Sequence, residues 1–183
     1  DLVISLVLER RQILCLHASA VNIKGHDAIF MGDKGAGKST TNGALLARGF
    51  GAISDDLVPI TGALERTETP RVEPGFSSIK LFPDSVAALA LKSEEDDRQI
   101  HPQTDKIQKP MPVRVPQESV PLGALFVLKR TADVEVPRAD RLPPHEALQM
   151  VMRYTFMARY GETRLGTPHL AQHLKRCGGV VAE

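Results

Sequence analysis

The chain has 183 residues, enough for one compact domain with a buried core, and we interpret residues 1–183 as a single domain that is part of a longer chain. Its 23 basic and 22 acidic side chains nearly cancel, so the strong positive field that nucleic-acid binding usually needs is missing. No apolar run approaches the roughly 18 residues of a membrane helix, and Cys15 and Cys177 match no disulfide framework. These features predict a cytoplasmic protein that binds neither nucleic acid nor membrane.

The first part of the chain predicts a β-hairpin, a helix and a short strand. Residues 13–23 (ILCLHASAVNI) and 27–31 (DAIFM) are apolar segments separated by Lys24, Gly25 and His26, which is typical of two antiparallel strands joined by a tight turn. The sequence KSTTNGALLAR then predicts a helix that stops at Gly49. A short buried strand over residues 50–54 leads directly into an Asp pair.

The middle of the chain gives weaker patterns. Pro83, Asp84 and Ser85 favour a short helix over residues 86–91, and the acidic SEEDDRQ that follows is typical of a solvated surface loop. Five prolines between His101 and Pro121 argue against a helix and against a central strand. We therefore expect this segment to be extended or mobile, and it is the best candidate for a loop that closes over substrate.

The last third of the chain predicts one strand and one long helix. Residues 123–128 (GALFVL) have the composition of a buried strand, with residues 133–136 as its partner. Pro143 and Pro144 open a predicted helix that extends to about Tyr160. A stripe at helical spacing is expected to face the core, and it consists of Leu148, Val151, Met152 and Thr155.

Residues 32–40 (GDKGAGKST) match the pattern G-x-x-x-x-G-K-S/T of a phosphate-binding loop, between a predicted strand and a predicted helix. Glycines let backbone N–H groups turn inward around the β-phosphate. Lys38 supplies positive charge to the β and γ oxygens, and the Ser39 hydroxyl is a ligand for Mg²⁺. The alternative is a glycine-rich turn that only caps the helix. The predicted nucleotide-binding residues are Gly32, Asp33, Lys34, Gly35, Ala36, Gly37, Lys38, Ser39 and Thr40.

The position of the next acidic residues separates the classes of phosphate-loop protein. Motor ATPases usually carry a metal-binding Asp at the end of a long apolar strand, but the strand ALFVL ends in Lys129 and Arg130. Asp55 and Asp56 close the apolar strand nearest the loop, and a strand beside the loop strand would place them at the sheet edge that faces the γ-phosphate. There, one carboxylate can hold the metal and the other can accept a proton from an attacking hydroxyl. The alternative is that one of them caps the next turn.

His17 is a third candidate. If Leu14, Leu16, Ala18 and Ala20 share one face of their strand, Cys15, His17 and Ser19 point to the other face. The imidazole can then lie near the Asp pair and orient a carboxylate or contact phosphate. The alternative is a structural histidine.

The order of LHASAV, a turn, AIFMGDKGAGKST, a helix and ISDDLV resembles the catalytic domain of the HPr kinase/phosphorylase-like family. The resemblance covers about residues 14–58 and implies an α/β fold shared with phosphoenolpyruvate carboxykinase, a phosphate-loop domain with a central mixed sheet flanked by helices. It also implies that Lys38 binds phosphate, Ser39 and Asp56 hold the metal, and Asp55 is the base, with Asp56 and His17 as supporting catalytic residues. Family members form rings, which implies a homo-oligomer.

Two departures concern the acceptor. Bifunctional family members carry a glutamate directly after the loop serine, where this chain has Thr40, and the C-terminal signature for HPr recognition is not found. These departures argue against HPr and against a phosphorylase reaction. Residues 74–85 (PGFSSIKLFPDS) and 143–161 resemble stand-alone relatives found with peptide biosynthesis systems, including kinases of lasso-peptide precursors.

The sequence thus predicts a kinase that uses ATP and Mg²⁺ to phosphorylate a serine or threonine hydroxyl of a protein or peptide. A small-molecule kinase also places an acidic strand end after the loop helix, although it generally has one strand before the loop instead of a hairpin. A third hypothesis is a non-catalytic module that senses nucleotide.

Other polar residues are harder to assign. His169, His173 and Cys177 fall at i, i+4 and i+8, but a fourth metal ligand is not evident and Gly178 and Gly179 end the segment, so we expect a solvated helix face. Several cationic residues are candidates for contact with phosphate or substrate, and the sequence does not choose among Lys80, Lys106, Lys109, Arg114 and Arg153.

Overall fold

The computed structural model describes residues 2–63, 69–76, 78–91, 97–101, 104–110, 118–131, 136–160 and 167–181. Over these residues the chain is α/β, as predicted. The elements in chain order are α1 (Leu2–Arg10), β1 (Leu14–Leu16), β2 (Ser19–Ile23), β3 (His26–Met31), α2 (Lys38–Leu46), β4 (Gly51–Asp55), β5 (Val58–Thr61), β6 (Arg71–Val72), β7 (Ser78–Leu81), α3 (Pro83–Ala88), β8 (Arg98–His101), β9 (Thr104–Pro110), β10 (Val120–Val127), α4 (Pro144–Arg153), α5 (Phe156–Tyr160) and α6 (Thr167–Val181).

The strands form two sheets. The larger is a seven-stranded mixed sheet in the order β1-β5-β6-β10-β3-β2-β4, in which β10 and β3 are parallel and the other described pairs are antiparallel. A smaller antiparallel sheet has the order β7-β9-β8. Helix α2 contacts β2, β3, β4 and β7, so it lies between the loop strand and the smaller sheet.

The hairpin prediction is confirmed for β2 and β3. Their register runs from Ser19 opposite Phe30 to Ile23 opposite His26, and Lys24 and Gly25 make the turn with left-handed backbone angles (φ 53° and 92°). The expected single strand over residues 13–23 is wrong, because it divides at His17. The backbone N–H of His17 donates to the Tyr154 carbonyl at 2.7 Å, so β1 leaves the hairpin and pairs with β5.

The helix after the glycine loop and the strand after it are also confirmed. The C-terminal stop of α2 is Gly49, with φ of 87° and a hydrogen bond from its N–H to the Leu46 carbonyl. The short helix α3 begins at Pro83 and ends at Ala88, three residues earlier at each end than the predicted range 86–91.

The extended conformation predicted for the proline-rich segment is confirmed where the structure describes it, but the exclusion of a central strand is wrong. Thr104–Pro110 is the central strand of the smaller sheet, paired with both β7 and β8. A central strand tolerates this composition because Pro110 is its last residue, so no interior N–H is lost from the ladder. Arg98 and Gln99, predicted as part of a solvated loop, belong to β8. The predicted strand partner 133–136 lies almost wholly outside the described residues.

The helical C-terminal part differs from the sequence prediction in two ways. The predicted helix to Tyr160 is broken at Tyr154 and Thr155, where the Tyr154 carbonyl is taken by His17. Helix α6 continues through Gly178 and Gly179, where we expected an end. A side chain at Gly179 would come within 2.0 Å of the Ala63 carbonyl oxygen, so glycine here permits close packing.

The core lies mainly between the larger sheet and helices α4 and α6. Alternate residues Leu14, Leu16, Ala18 and Ala20 are fully buried in it, together with Val151, Cys177 and Val180. The predicted core stripe is confirmed, since Val151 is buried and Leu148 and Met152 are partly buried in α4, and Thr155 is buried just beyond its end. On the other side, α2 packs against the smaller sheet through Leu46, Ile79 and Leu81.

Candidate functional site

The glycine loop connects β3 to α2 at one edge of the larger sheet. Gly35 and Gly37 have φ of 84° and 103°, a left-handed conformation that side chains disfavour. Lys38 is only 8% exposed, and its Nζ atom donates to the carbonyl oxygens of Gly32 (2.8 Å) and Asp33 (3.3 Å). The lysine ammonium is therefore held against the loop backbone.

A cavity of about 740 Å³ lies over this loop. Residues 34–41 form one wall, so seven of the nine predicted nucleotide-binding residues, 34 to 40, line it. Gly32 and Asp33 are not on the wall. The Asp33 carboxylate instead accepts hydrogen bonds from Arg153 Nη2 (3.0 Å) and the Tyr154 hydroxyl (3.2 Å), which directs it toward α4.

Asp55 ends β4 and is buried behind the wall, with 3% of its surface exposed. Its Oδ1 accepts from the hydroxyls of Ser19 (2.5 Å) and Ser39 (3.2 Å), and its Oδ2 accepts from the Lys80 backbone N–H (3.1 Å). Burial raises the pKa of Asp55 and the charge of Asp56 raises it further, while these three hydrogen bonds lower it. Both oxygens of Asp55 are thus engaged by protein donors.

Asp56 follows in a left-handed conformation (φ 71°), which is uncommon for a residue with a side chain and turns it onto the cavity wall. Its Oδ2 forms an ion pair with Lys80 Nζ at 2.8 Å. Burial by itself would raise the pKa of Asp56, but the hydrogen bond and charge of Lys80, with smaller contributions from His17 and Lys106, hold it below its usual value. Asp56 is therefore an ionised carboxylate at the cavity surface.

His17 also lies on the wall, and the predicted alternation around it is confirmed. Leu16 and Ala18 face the core, whereas His17 faces the cavity and Ser19 faces Asp55. His17 Nδ1 is 3.1 Å from the Asp56 carbonyl oxygen, and the ring meets Phe156 edge-on with centroids 5.8 Å apart. The backbone of Asp56 thus contributes to the position of the imidazole.

The topology that joins the loop and the Asp pair differs from the expected one. Strand β4 is not the neighbour of the loop strand β3, because β2 lies between them. Because β2 is antiparallel to both β3 and β4, strands β3 and β4 run in the same direction. Their C-terminal ends therefore lie on the same side of the sheet. The proximity that the sequence predicted is present, although the predicted adjacency is wrong.

The structure shows which of the candidate cationic residues line the cavity. Lys80 and Lys106 line the cavity. Lys109 is paired with Asp97 at 2.5 Å and Arg153 with Asp33, and neither is on the wall. Arg114 lies outside the described residues.

Sequence reasoning missed three functional candidates. Arg130 lines the cavity because it follows β10, the parallel neighbour of the loop strand, and this pairing was not predicted. Phe82 lines it because it follows Lys80 at the strand spacing of two residues. Ser19 was placed on the correct face, but only its distance to Asp55 shows its contact.

The expected solvated face on α6 is wrong for two of its three residues. His173 is 3% exposed and its Nδ1 lies 3.4 Å from Glu9 Oε2, while Arg176 Nη2 donates to the same oxygen at 2.9 Å. Burial raises the pKa of the Cys177 thiol to about 12. The side chain of His169 lies outside the described residues. Within the part of the chain that the structure describes, no group of three or more His, Cys, Asp and Glu side chains is arranged to hold a metal ion.

Comparisons with protein-family models and with curated protein sequences give no match to this chain. Among the helices described, none combines the length and the apolar character needed to cross a membrane.

Proposed function

We propose that the chain is a kinase that uses ATP and Mg²⁺ to phosphorylate a serine or threonine hydroxyl of a protein or peptide, on a phosphate-loop fold of the HPr kinase/phosphoenolpyruvate carboxykinase type. The observation that carries the proposal is one cavity lined by residues 34–40 of the glycine loop, by Asp56 and by His17. Binding of a triphosphate and acceptance of a hydroxyl proton need these groups side by side.

The residues present fit a magnesium triphosphate. The loop carries the left-handed glycines Gly35 and Gly37, and a side chain built at either would meet no atom within 4 Å, so the space above the backbone is open. Mg²⁺ is commonly bound by one or two protein oxygens together with phosphate oxygens, so a site without a three-residue cage is suitable. When bound, the ion neutralises charge on the transferring phosphoryl group.

The geometry favours an exchange of the roles that the resemblance implies for the two aspartates. Asp55 accepts a hydrogen bond from Ser39, and in phosphate-loop enzymes a loop serine and an aspartate lie together at the metal. Asp56 alone of the pair reaches the cavity wall. We therefore assign Asp56 as the proton acceptor, Ser39 as the metal ligand and Asp55 as the residue that orients Ser39.

His17 and Lys38 complete the proposed site. His17 contacts the backbone of Asp56 and holds the turn that projects its carboxylate. Lys38 leaves the loop carbonyls for the β and γ oxygens of the nucleotide, where a positive charge favours transfer. The proposal also includes a cytoplasmic location and the homo-oligomer that the family resemblance implies.

The test combines nucleotide binding with transfer from labelled ATP to proteins and peptides of a lysate of the source organism. Asp56→Asn is expected to retain Mg-ATP affinity and to lose transfer by at least about a hundredfold, the usual contribution of general-base catalysis. Asp140→Asn, which changes an exposed carboxylate that does not line the cavity, is the control and should transfer at a rate close to wild type.

Three outcomes separate the hypotheses. Label on a protein or peptide band that depends on Asp56 supports the proposal. Label that appears only in small molecules indicates a small-molecule kinase. Nucleotide binding with no transfer to any lysate component leaves a nucleotide-sensing module.

A further inference from the structure

The smaller sheet contributes to the lining of the cavity through Lys80 and Leu81 of β7 and Lys106 of β9. Along Ser78–Leu81 the side chains alternate, with Ile79 and Leu81 buried against α2 and Lys80 on the opposite face. Phe82 continues this alternation and is 40% exposed on the cavity wall. The structure thus presents an aromatic ring to the cavity at a position where packing against α2 does not require one.

Lys106 accompanies this ring. It lies on β9, whose register with β7 places Leu81 opposite Ile107, and its Nζ atom is 5.2 Å from the centroid of the Phe82 ring. The distance is within the range of a cation–π contact. An aromatic surface with a neighbouring cation suits a planar base attached to a phosphate chain.

The orientation of a triphosphate on the loop follows from two adjacent residues of α2. The Ser39 hydroxyl points to Asp55 (3.2 Å), and the Thr40 hydroxyl points to Ser85 of α3 (2.9 Å). Since the γ-phosphate belongs with the metal-binding serine and the Asp pair, the other end of the triphosphate is directed toward Thr40 and α3. Phe82 is the residue that caps the N-terminus of α3. Asp84, Ser85 and Ala88 of α3 line the cavity at that end.

We infer that Phe82, together with Lys106, forms the binding site for the base of the nucleotide, and that the nucleoside lies between the glycine loop and α3. This inference rests on the proposed function, because it takes the ligand of the loop to be a nucleoside triphosphate. It adds the recognition of the base, which the loop motif does not provide.

The experiment compares ATP with inorganic tripolyphosphate, which has the same phosphate chain and no base. Both dissociation constants are measured with Mg²⁺ by calorimetry for the wild-type chain and for Phe82→Ala. We expect ATP binding to weaken about tenfold, within the range reported for loss of one base–aromatic stack, while tripolyphosphate binding stays unchanged. Phe82→Trp, which keeps an aromatic surface, should retain the affinity for ATP.

The matched control is Phe76→Ala, because Phe76 is exposed to a similar degree (44%) but does not line the cavity. It should change neither affinity. A parallel loss of ATP and tripolyphosphate binding in Phe82→Ala, or no change in either, overturns the inference. If the wild-type chain binds tripolyphosphate as tightly as ATP, the inference is wrong but the proposed function stands. If it binds neither ligand, both are wrong.

Discussion

Two clusters in this protein combine a carboxylate, a histidine and a cationic side chain, and they differ in what surrounds them. In the first, Asp56, Lys80 and His17 face a cavity of about 740 Å³. In the second, Glu9 of α1 contacts His173 and Arg176 of α6, and all three are at most 6% exposed. The same residue types therefore serve as a candidate reaction site in one place and as a buried connection between helices in the other.

The backbone distinguishes the two clusters as well. Asp56 adopts a left-handed conformation that costs free energy for a residue with a side chain, whereas Glu9 lies in a regular helix. Glu9 also accepts from the Cys15 backbone N–H at 3.2 Å, so it connects α1 to β1 as well as to α6. Solvent access, rather than charge alone, distinguishes the candidate site.

The largest expected effect comes from disrupting the buried cluster of Glu9, His173 and Arg176. Arg176→Ala leaves the Glu9 carboxylate buried without its guanidinium partner, and we expect the free energy of unfolding to fall by about 3–5 kcal/mol. Denaturant unfolding measures this change. Arg153→Ala removes an exposed ion pair with Asp33 and should cost about 1 kcal/mol or less. Equal losses in the two variants would show that burial does not distinguish these pairs.

The buried carboxylate of Asp27 sharpens the comparison, because no ion pair with it is found among the described residues. Asp27 is the second residue of the loop strand β3, at the end of the strand away from the glycine loop. It is 1% exposed, and one of its carboxylate oxygens has no hydrogen-bond partner. Burial raises its pKa to about 6, against a hydrogen bond from Asn22 and the charges of Arg71 and His26, which lower it.

Asp27 binds its proton more tightly in the folded protein than in the unfolded chain. Its contribution to the free energy of unfolding is therefore greatest below about pH 4 and falls as the pH rises to about 6. Asp27→Asn removes the charge, and we expect it to raise the free energy of unfolding at pH 8 by about 1–2 kcal/mol. Unfolding curves at pH 5 and pH 8 should differ less in the variant than in the wild type. An equal pH dependence in both would contradict the prediction.

The smallest effect is expected from removing Lys80 from the cluster that it forms with Asp56 and His17 at the cavity. Lys80→Met removes the cation that keeps the pKa of Asp56 low, while the Lys80 backbone N–H to Asp55 is retained. The carboxylate is then ionised only at higher pH, so the acid side of the pH–rate profile for phosphoryl transfer should move to higher pH. Transfer at the acid end of the profile should fall several-fold, and transfer at alkaline pH should change less.

Lys129→Met is the control for this change, because Lys129 is exposed and does not line the cavity. Its profile should coincide with that of the wild type. A uniform loss of rate at every pH in Lys80→Met would show that Lys80 contacts substrate without tuning the Asp56 carboxylate.

Local patterns predicted the parts of the site that depend on neighbouring residues. The hairpin turn, the glycine loop, the start of α2 and the alternation around His17 each depend on short segments, and the structure contains them. The sequence could not place Phe82 and Arg130 at the cavity, because their positions depend on the pairing of β7 with β9 and of β10 with β3. The sequence pattern also did not predict α1. The apolar residues of this nine-residue helix are not confined to a buried face, since Val3, Leu6 and Val7 are exposed.

The amino-acid sequence by itself determined a strand, a glycine loop, a helix and an acidic strand end in close succession, because each follows from local backbone preferences and apolar spacing. Only the tertiary structure decided which carboxylate reaches the cavity and which is buried, and which of the candidate lysines lies near them. The physical reason is that burial and ion pairing are set by segments far apart in the chain, such as Ser19, Asp55 and Lys80. The spacing of residues within one segment gives no information about the distances between such segments.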